Sequence, residues 1–503
     1  MEASLKETTS EAMREEKTKL RRVFRRIDMV FYTVTAVIAL NALGAFSAYG
    51  AQAFTWLVLS AVTFFLPYGL LVAELGSTFR QEGGVYVWCK LAGGALYASF
   101  AATFYWIFAP LLLGGAGAFG IIAALKTFWF GNTNYLFGGR PVTDALIEMA
   151  IALIVIWGIT FGSIISLRRG KWISTIGFFV KLALLTIFLV LAAIFVVSGV
   201  GKGAHFGIAD LVPSNVGLIV SGILPVLIFL WLGLETPSSA AEEMVNAQRD
   251  VPRAILRAAV MVVLLYSLFL LAILLALPRS QLSIVGGFFN AFQAVNRVLP
   301  APLATGLAWL VALGFATSTF ATGVTLLIAL SRTYAIAALD GAAPKCLGRF
   351  SRRHGTPLAA CLLVGLLATV TAAAAILVAA SGSETIGILF TQVLGVGILT
   401  LTLAYLLIFP TFLVLRYKYP AVPRRYRVPG GMVGAWIVTL LPVAYAGIAC
   451  FFLLFPSEVY LEINHLDRLT FELTQFVPLA CIALYTIVLF VWGQRESRKN
   501  AGS

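Results

Sequence analysis

Charge is scarce in this chain: 12% of its 503 residues are Asp, Glu, Lys or Arg, against 60% that are hydrophobic. A soluble domain cannot build a surface at that ratio, so the chain is expected to cross a membrane repeatedly, with the lipid bilayer as its partner. Histidine is scarcer still, with three residues, His205, His354 and His465, far apart in sequence. The five cysteines (Cys89, Cys346, Cys361, Cys450 and Cys481) show no Cys-x-x-Cys spacing. A disulfide framework, a zinc site and a histidine-based metalloenzyme are therefore not indicated; the expectation is no cofactor, no metal and no enzymatic activity. Long loops are also missing, since none exceeds about 26 residues, too few to fold alone. Function must reside in the bundle.

What is abundant is long apolar sequence. Runs able to cross about 30 Å of hydrocarbon lie near 29–50, 54–75, 95–124, 144–167, 172–198, 216–241, 254–277, 303–331, 358–380, 385–415, 432–455 and 472–493. The twelve runs put both termini on one side. The third, eighth and tenth exceed about 25 residues, which implies tilt or an interfacial extension. Lys17, Lys19, Arg21, Arg22, Arg25 and Arg26 precede the first run, too charged and long a lead for a signal peptide, so this span is expected to stay in the membrane. The net charge of +14 sits in short loops. Of 36 Lys and Arg residues, 29 fall on the side of the termini and six on the other, an orientation signal rather than a nucleic-acid surface. Both termini are expected to be cytoplasmic, in what would be a bacterial inner membrane.

The sixth run contains Phe229-Leu-Trp-Leu-Gly-Leu-Glu-Thr-Pro-Ser-Ser239. Gly233, Glu235 and Pro237 together should open the helix, and open backbone survives at membrane depth only where protein or a wet cavity meets its polar groups. The alternative is a glutamate near a membrane face that caps a helix. Lys181 lies about ten residues into the fifth run, hence about 15 Å deep. A lysine there costs roughly 2.5–3.5 kcal/mol unless it faces a partner or cavity; the alternative is snorkelling to the interface. In the first run, Asn41-Ala-Leu-Gly-Ala-Phe-Ser-Ala-Tyr-Gly50 interrupts a leucine-rich helix with small and polar residues.

Runs 1 and 6, both interrupted, stand five spans apart, which is the pattern of paired discontinuous helices around a transporter site. Halves with an odd number of spans must have opposite topology. The freed N–H groups would face an anionic substrate group and the freed carbonyls a cation, an arrangement suited to a zwitterionic amino acid. Phe46, Phe229, Trp231, Tyr105 and Trp106 stand near enough to close over a solute, or serve simply as packing.

Four stretches carry a resemblance to the amino acid–polyamine–organocation superfamily. They are Leu66-Pro-Tyr-Gly-Leu-Leu-Val-Ala-Glu-Leu75 with Glu82-Gly-Gly-Val-Tyr-Val-Trp88; Gly233-Leu-Glu235 with Glu242-Glu-Met-Val-Asn-Ala-Gln-Arg-Asp-Val-Pro-Arg253; Ser331-Arg-Thr-Tyr-Ala-Ile-Ala-Ala-Leu-Asp-Gly-Ala-Ala-Pro344; and Arg427-Val-Pro-Gly-Gly431. The resemblance implies an all-α polytopic protein with a LeuT-like 5+5 inverted repeat, discontinuous helices 1 and 6, and two further helices. The expected organisation is a basic tail over 1–27, repeats over 28–198 and 199–415, helices 11 and 12 over 416–493, and a short tail over 494–503. The bacterial glutamate/γ-aminobutyrate antiporters look nearest, although the chain carries a span 5 lysine that they lack and Leu-Gly-Ala-Phe-Ser where the family usually has a glycine–serine–glycine break.

The expected protein is a secondary transporter of an amino acid or derivative, coupled to protons or to a counter-substrate, independent of sodium, and monomeric or homo-oligomeric. The expected substrate contacts are Asn41, Gly44, Ala45, Phe46, Ser47, Phe229, Trp231, Gly233, Leu234 and Glu235, with Lys181 and Glu235 in coupling. By the resemblance Lys181 stands in the place of a sodium ion. A polyamine or amine exchanger, or a membrane sensor that binds without flux, is the alternative.

Overall fold

The apolar runs become helices because in hydrocarbon a segment must satisfy its own backbone polar groups. A computed structural model of the chain describes residues 24–128, 141–165, 167–199, 208–212, 215–277, 287–380, 386–463 and 466–501. Most of the basic N-terminal tail, together with His205 and His465, lies outside them. Eleven helices among the described residues are long and apolar enough to cross a membrane: Ala51–Thr78, Val85–Lys126, Thr143–Ile164, Gly170–Val197, Val216–Glu243, Ala247–Ala276, Ala301–Leu339, Leu358–Val378, Gln392–Lys418, Gly431–Leu454 and Arg468–Lys499. These are spans 2 to 12. Span 1 is absent from that group because it is two short helices, Arg26–Val37 and Leu40–Ser47. Among the described residues there is no sheet, only isolated bridges between Phe24 and Met244 and between Phe350 and Pro357.

Span 3 is preceded by a helical piece that its apolar run did not include. Gly94 takes φ 86, ψ −176, so the helix that begins at Val85 is a separate interfacial piece leading into the span proper. Span 8 gains its length by running on to Leu339 with its last two turns buried in protein.

Spans 2, 3, 6, 8 and 10 bury most of their apolar surface, whereas spans 4, 5, 7, 9, 11 and 12 turn large apolar side chains outward; span 1 packs chiefly against spans 7, 5 and 8. Single π-turns at Ala61–Phe65, Leu113–Gly117 and Ile219–Ile223 offset the hydrogen-bond ladders of spans 2, 3 and 6. Such turns often mark functional sites.

The interruption of span 1 falls earlier than the sequence suggests. Helix stops at Val37, Ile38 is extended (φ −71, ψ 108), and Leu40–Ser47 is helical. The small residues beyond serve other ends. Gly44 lets the backbone of Phe288, in the short helix Gly287–Asn296, approach where any Cβ would collide. Gly50 takes φ 75 at the turn into span 2.

Candidate functional site

The polar groups freed at Ile38 and Ala39 are met by side chains of three other spans. The Lys181 ammonium, fully buried, donates to the carbonyls of Thr35 (2.6 Å) and Ile38 (2.5 Å) and to Thr322 Oγ1 of span 8 (2.7 Å). The Thr322 hydroxyl itself lies 2.9 Å from the Ser318 carbonyl and 3.3 Å from that of Thr35. The Tyr266 hydroxyl of span 7 donates to Val37 O (2.8 Å) and accepts from the Ala39 N–H (2.9 Å). Two carbonyls and a hydroxyl around one ammonium form the kind of oxygen cage that holds a monovalent cation at a broken membrane helix.

Span 6 opens opposite. Its helix ends at Trp231, Leu232 is extended, and Gly233 takes φ 117, a conformation that a side chain rarely tolerates. Thr236–Glu243 then forms a 3-10 helix. The N–H groups of Gly233 (3.3 Å) and Leu234 (3.1 Å) donate to the Tyr68 hydroxyl of span 2. That hydroxyl donates to the Glu235 carboxylate, which also accepts from Tyr105 of span 3 (2.5 Å). Tyr405 of span 10 brings a further hydroxyl to 3.2 Å from that of Tyr68. Glu235 is 1% exposed, so its carboxyl oxygens are met by these phenols.

Between the two breaks lies a cavity. Its walls include Ile38, Ala39 and Leu40 of span 1; Phe229, Gly233 and Glu235 of span 6; Tyr105 and Phe108 of span 3; Ser318, Thr319 and Thr322 of span 8; and Leu401 and Tyr405 of span 10. Apart from Glu235 and a few hydroxyls it is apolar, and none of the described residues lining it is basic.

Of the residues singled out from sequence, Phe229, Gly233 and Glu235 border this cavity, and Lys181 reaches the Ile38 and Thr322 that do. Trp231 turns away, stacking on Phe65 (4.5 Å between centroids) and donating to Ser60 Oγ (2.8 Å). Leu234 packs beside Gly69. Gly44, Phe46 and Ser47 sit on the second half of span 1 away from the cavity walls; Ser47 donates to Gly44 O (2.6 Å) and the Phe46 ring faces Tyr49. The side chains of Asn41 and Ala45 lie outside the described residues. Trp106 stacks on Tyr334 at 4.4 Å.

The sequence reading missed Tyr68, Tyr266, Tyr405 and Thr322. The run Thr317-Ser-Thr-Phe-Ala-Thr322 inside an apolar span was a usable signal for the last. An isolated tyrosine in a long span gives none.

Toward the face that carries both termini, two buried ion-pair clusters close the bundle. Arg332 of span 8 bonds Glu82 (2.8 Å), Glu243 (2.6 Å) and the Gly355 carbonyl (2.9 Å). Glu74 of span 2 accepts from Arg416 of span 10 (2.9 and 2.5 Å), from the Val428 N–H (2.7 Å) and pairs with Arg424 (3.2 Å).

Two broken helices around a buried cavity, in a bundle with eleven membrane-length helices among the described residues, define a membrane carrier fold. The profile of the amino acid permease family matches residues 24–465, and the chain belongs to that family. It is 27% identical over 471 residues to a probable agmatine/putrescine antiporter of Lactococcus lactis, covering 93% of each chain. A glutamate/γ-aminobutyrate antiporter of the same species is 26% identical over 393 residues, 76% of this chain and 74% of that one. A branched-chain amino acid permease of Bacillus subtilis is 22% identical over 93% of this chain and 90% of its own. Among solved structures, a mutant manganese transporter of Eremococcus coleocola superposes with a TM-score of 0.60 at 14% identity over 96% of both chains, a likeness of fold.

Proposed function

We propose that the chain is a secondary carrier that moves a small solute with a protonated amine, an amino acid or an amine derived from one, by alternating access between the breaks of spans 1 and 6. It is coupled to protons or to exchange and does not use sodium. The observation that carries this reading is the pairing of the two breaks across one cavity whose acidic wall is Glu235. A largely apolar cavity, lined by aromatic and aliphatic side chains, with a buried carboxylate and no basic side chain among the described residues of its wall, favours a cation or zwitterion over an anion. Sodium independence is supported by the Lys181 ammonium, which already fills the oxygen cage of span 1. In this reading Lys181 and Glu235 are the coupling groups, and the termini face the cytoplasm.

A second reading, an exchanger of amines that lack a carboxylate, is favoured by Tyr68. Its hydroxyl engages the Gly233 and Leu234 amides, the donors at span 6 that would otherwise receive a substrate carboxylate. Both readings meet one test: counterflow in proteoliposomes with glutamate, γ-aminobutyrate, leucine, agmatine and putrescine. Accumulation of any of them supports a carrier, and preference for the last two supports the amine reading. Saturable binding with no flux would replace the carrier with a sensor.

A further inference from the structure

The loop between spans 2 and 3 is pressed onto the 3-10 end of span 6. The Gly83 N–H donates to Ser239 O (3.2 Å), and Gly84, at φ 27, lies so close to the Ser238 carbonyl that an added Cβ would sit 2.7 Å from its oxygen. Beside it, Glu82 and Glu242 each accept the other's backbone N–H (3.3 and 3.1 Å). Glu82 and Glu243 share one guanidinium nitrogen of Arg332, whose second terminal nitrogen donates to Gly355 O. Arg332 is 1% exposed and its Nε meets no acceptor. The groups facing Glu82 are thus Arg332 from span 8, Glu242 and Glu243 from span 6, and the Tyr32 phenol of span 1 beyond them. Two buried carboxyls, Glu82 and Glu243, share this one guanidinium, and the half-buried Glu242 lies beside them. Uncompensated charge is strongly unfavourable in a buried site, and a proton on one carboxyl removes part of it.

We propose that this cluster is a proton-operated lock: the carboxyl of Glu82 holds a proton while the path to the termini face is shut, and releases it when the loop lifts off span 6. The lock lies apart from Lys181 and Glu235, so it is a second place at which a proton enters the cycle. The proposal deepens the carrier reading and rests on it for its role in transport.

The direction of the pH effect comes from the surroundings. Burial first, then the neighbouring Glu243 and Glu242, push the Glu82 carboxyl up to about 8 against the lowering effect of Arg332. In an open, wetted loop it would return to the ordinary carboxylate range near 4.3. A group raised in the closed form stabilises that form fully below the ordinary value and loses the contribution as pH climbs to about 8. The closed-to-open ratio should therefore fall about tenfold per pH unit between those limits.

The test uses Ser238, now 1% exposed beneath the loop, as a reporter in Ser238→Cys, with the exposed native Cys346 as internal reference. Purified full-length protein is alkylated with maleimide across about pH 6 to 9 and both sites are quantified by mass spectrometry. The expected result is a ratio of reporter to reference labelling that climbs about tenfold per unit until near pH 8, and stays low and flat when Glu82→Gln is added. A flat ratio without that change, or an equal slope with it, would overturn the proposal. Should Ser238→Cys not fold, infrared titration of the unmodified protein serves: a protonated-carboxyl stretch should vanish with a midpoint near 8 and be absent in Glu82→Gln. A band missing from the unmodified protein, or untouched by the substitution, is the contrary result. Neither measurement uses a transported solute, so failure of the carrier reading would not imitate failure of the lock.

Discussion

Lys181 is the residue whose removal separates structure from coupling most sharply. Its ammonium holds the carbonyls of Thr35 and Ile38, and Lys181→Ala would leave that of Ile38 without this donor and that of Thr35 with only the Thr322 hydroxyl at 3.3 Å. An unsatisfied buried group costs about 1–3 kcal/mol, so the melting temperature of the purified protein should fall. If the same ammonium is the reversible proton carrier, proton-driven uptake should disappear in Lys181→Ala while counter-exchange persists; an unchanged pH dependence would remove Lys181 from coupling. Glu235→Gln should slow turnover more than it weakens binding, read as a loss in kcat with little change in KM, because the carboxylate ties spans 2, 3 and 6 together through Tyr68 and Tyr105. Both residues stood out in the sequence, since isolated charge in an apolar run is conspicuous. Their partners did not. Tyr266 supplies a donor and an acceptor at the span 1 break, yet nothing in its own stretch of apolar residues marks it.

Among elements, the two interruptions differ in how much of their cause is local. Span 6 carries its own breakers: Gly233 at positive φ and Pro237 in the first turn of the 3-10 segment. Span 1 breaks at Ile38 and Ala39, residues with no tendency to end a helix, because Lys181 and Tyr266 compete successfully with the helical ladder there. Local sequence therefore located one break and misplaced the other by a few residues toward Gly44, whose task is the close approach of Phe288. The clasp between spans 2 and 10 makes a prediction at this scale. Glu74 and Arg416 are both nearly inaccessible, and Glu74→Gln would leave buried guanidinium charge without its counter-ion. Breaking a buried pair in this way costs about 3–5 kcal/mol. Thermal unfolding in detergent should show a marked loss of stability, and a near-unchanged transition would mean that the clasp carries little.

At the scale of the whole molecule, eleven of the twelve runs became membrane-length helices among the described residues, and the first a pair of shorter ones, because length and hydropathy are properties that the bilayer reads directly. Two helical continuations lie outside the apolar runs and were not visible in them: the helix from Val85 to the turn at Gly94 before the third, and the protein-buried turns up to Leu339 after the eighth. The distribution of basic residues yields an orientation, and Cys346 provides its check. This exposed thiol lies in the loop after span 8, on the face of the termini. An impermeant maleimide should modify it in inside-out vesicles and not in intact cells; the reverse pattern would invert the orientation.

In the carrier proposed above, the solute sits between the two breaks. The measurement that tests it most directly is an experimental structure of the protein with the solute that exchanges in counterflow. Density for it should be bounded by residues 36–40 of span 1 and 229–236 of span 6, within reach of Glu235. Solute density elsewhere in the bundle, or continuous helix through Ile38 and Gly233, would contradict it.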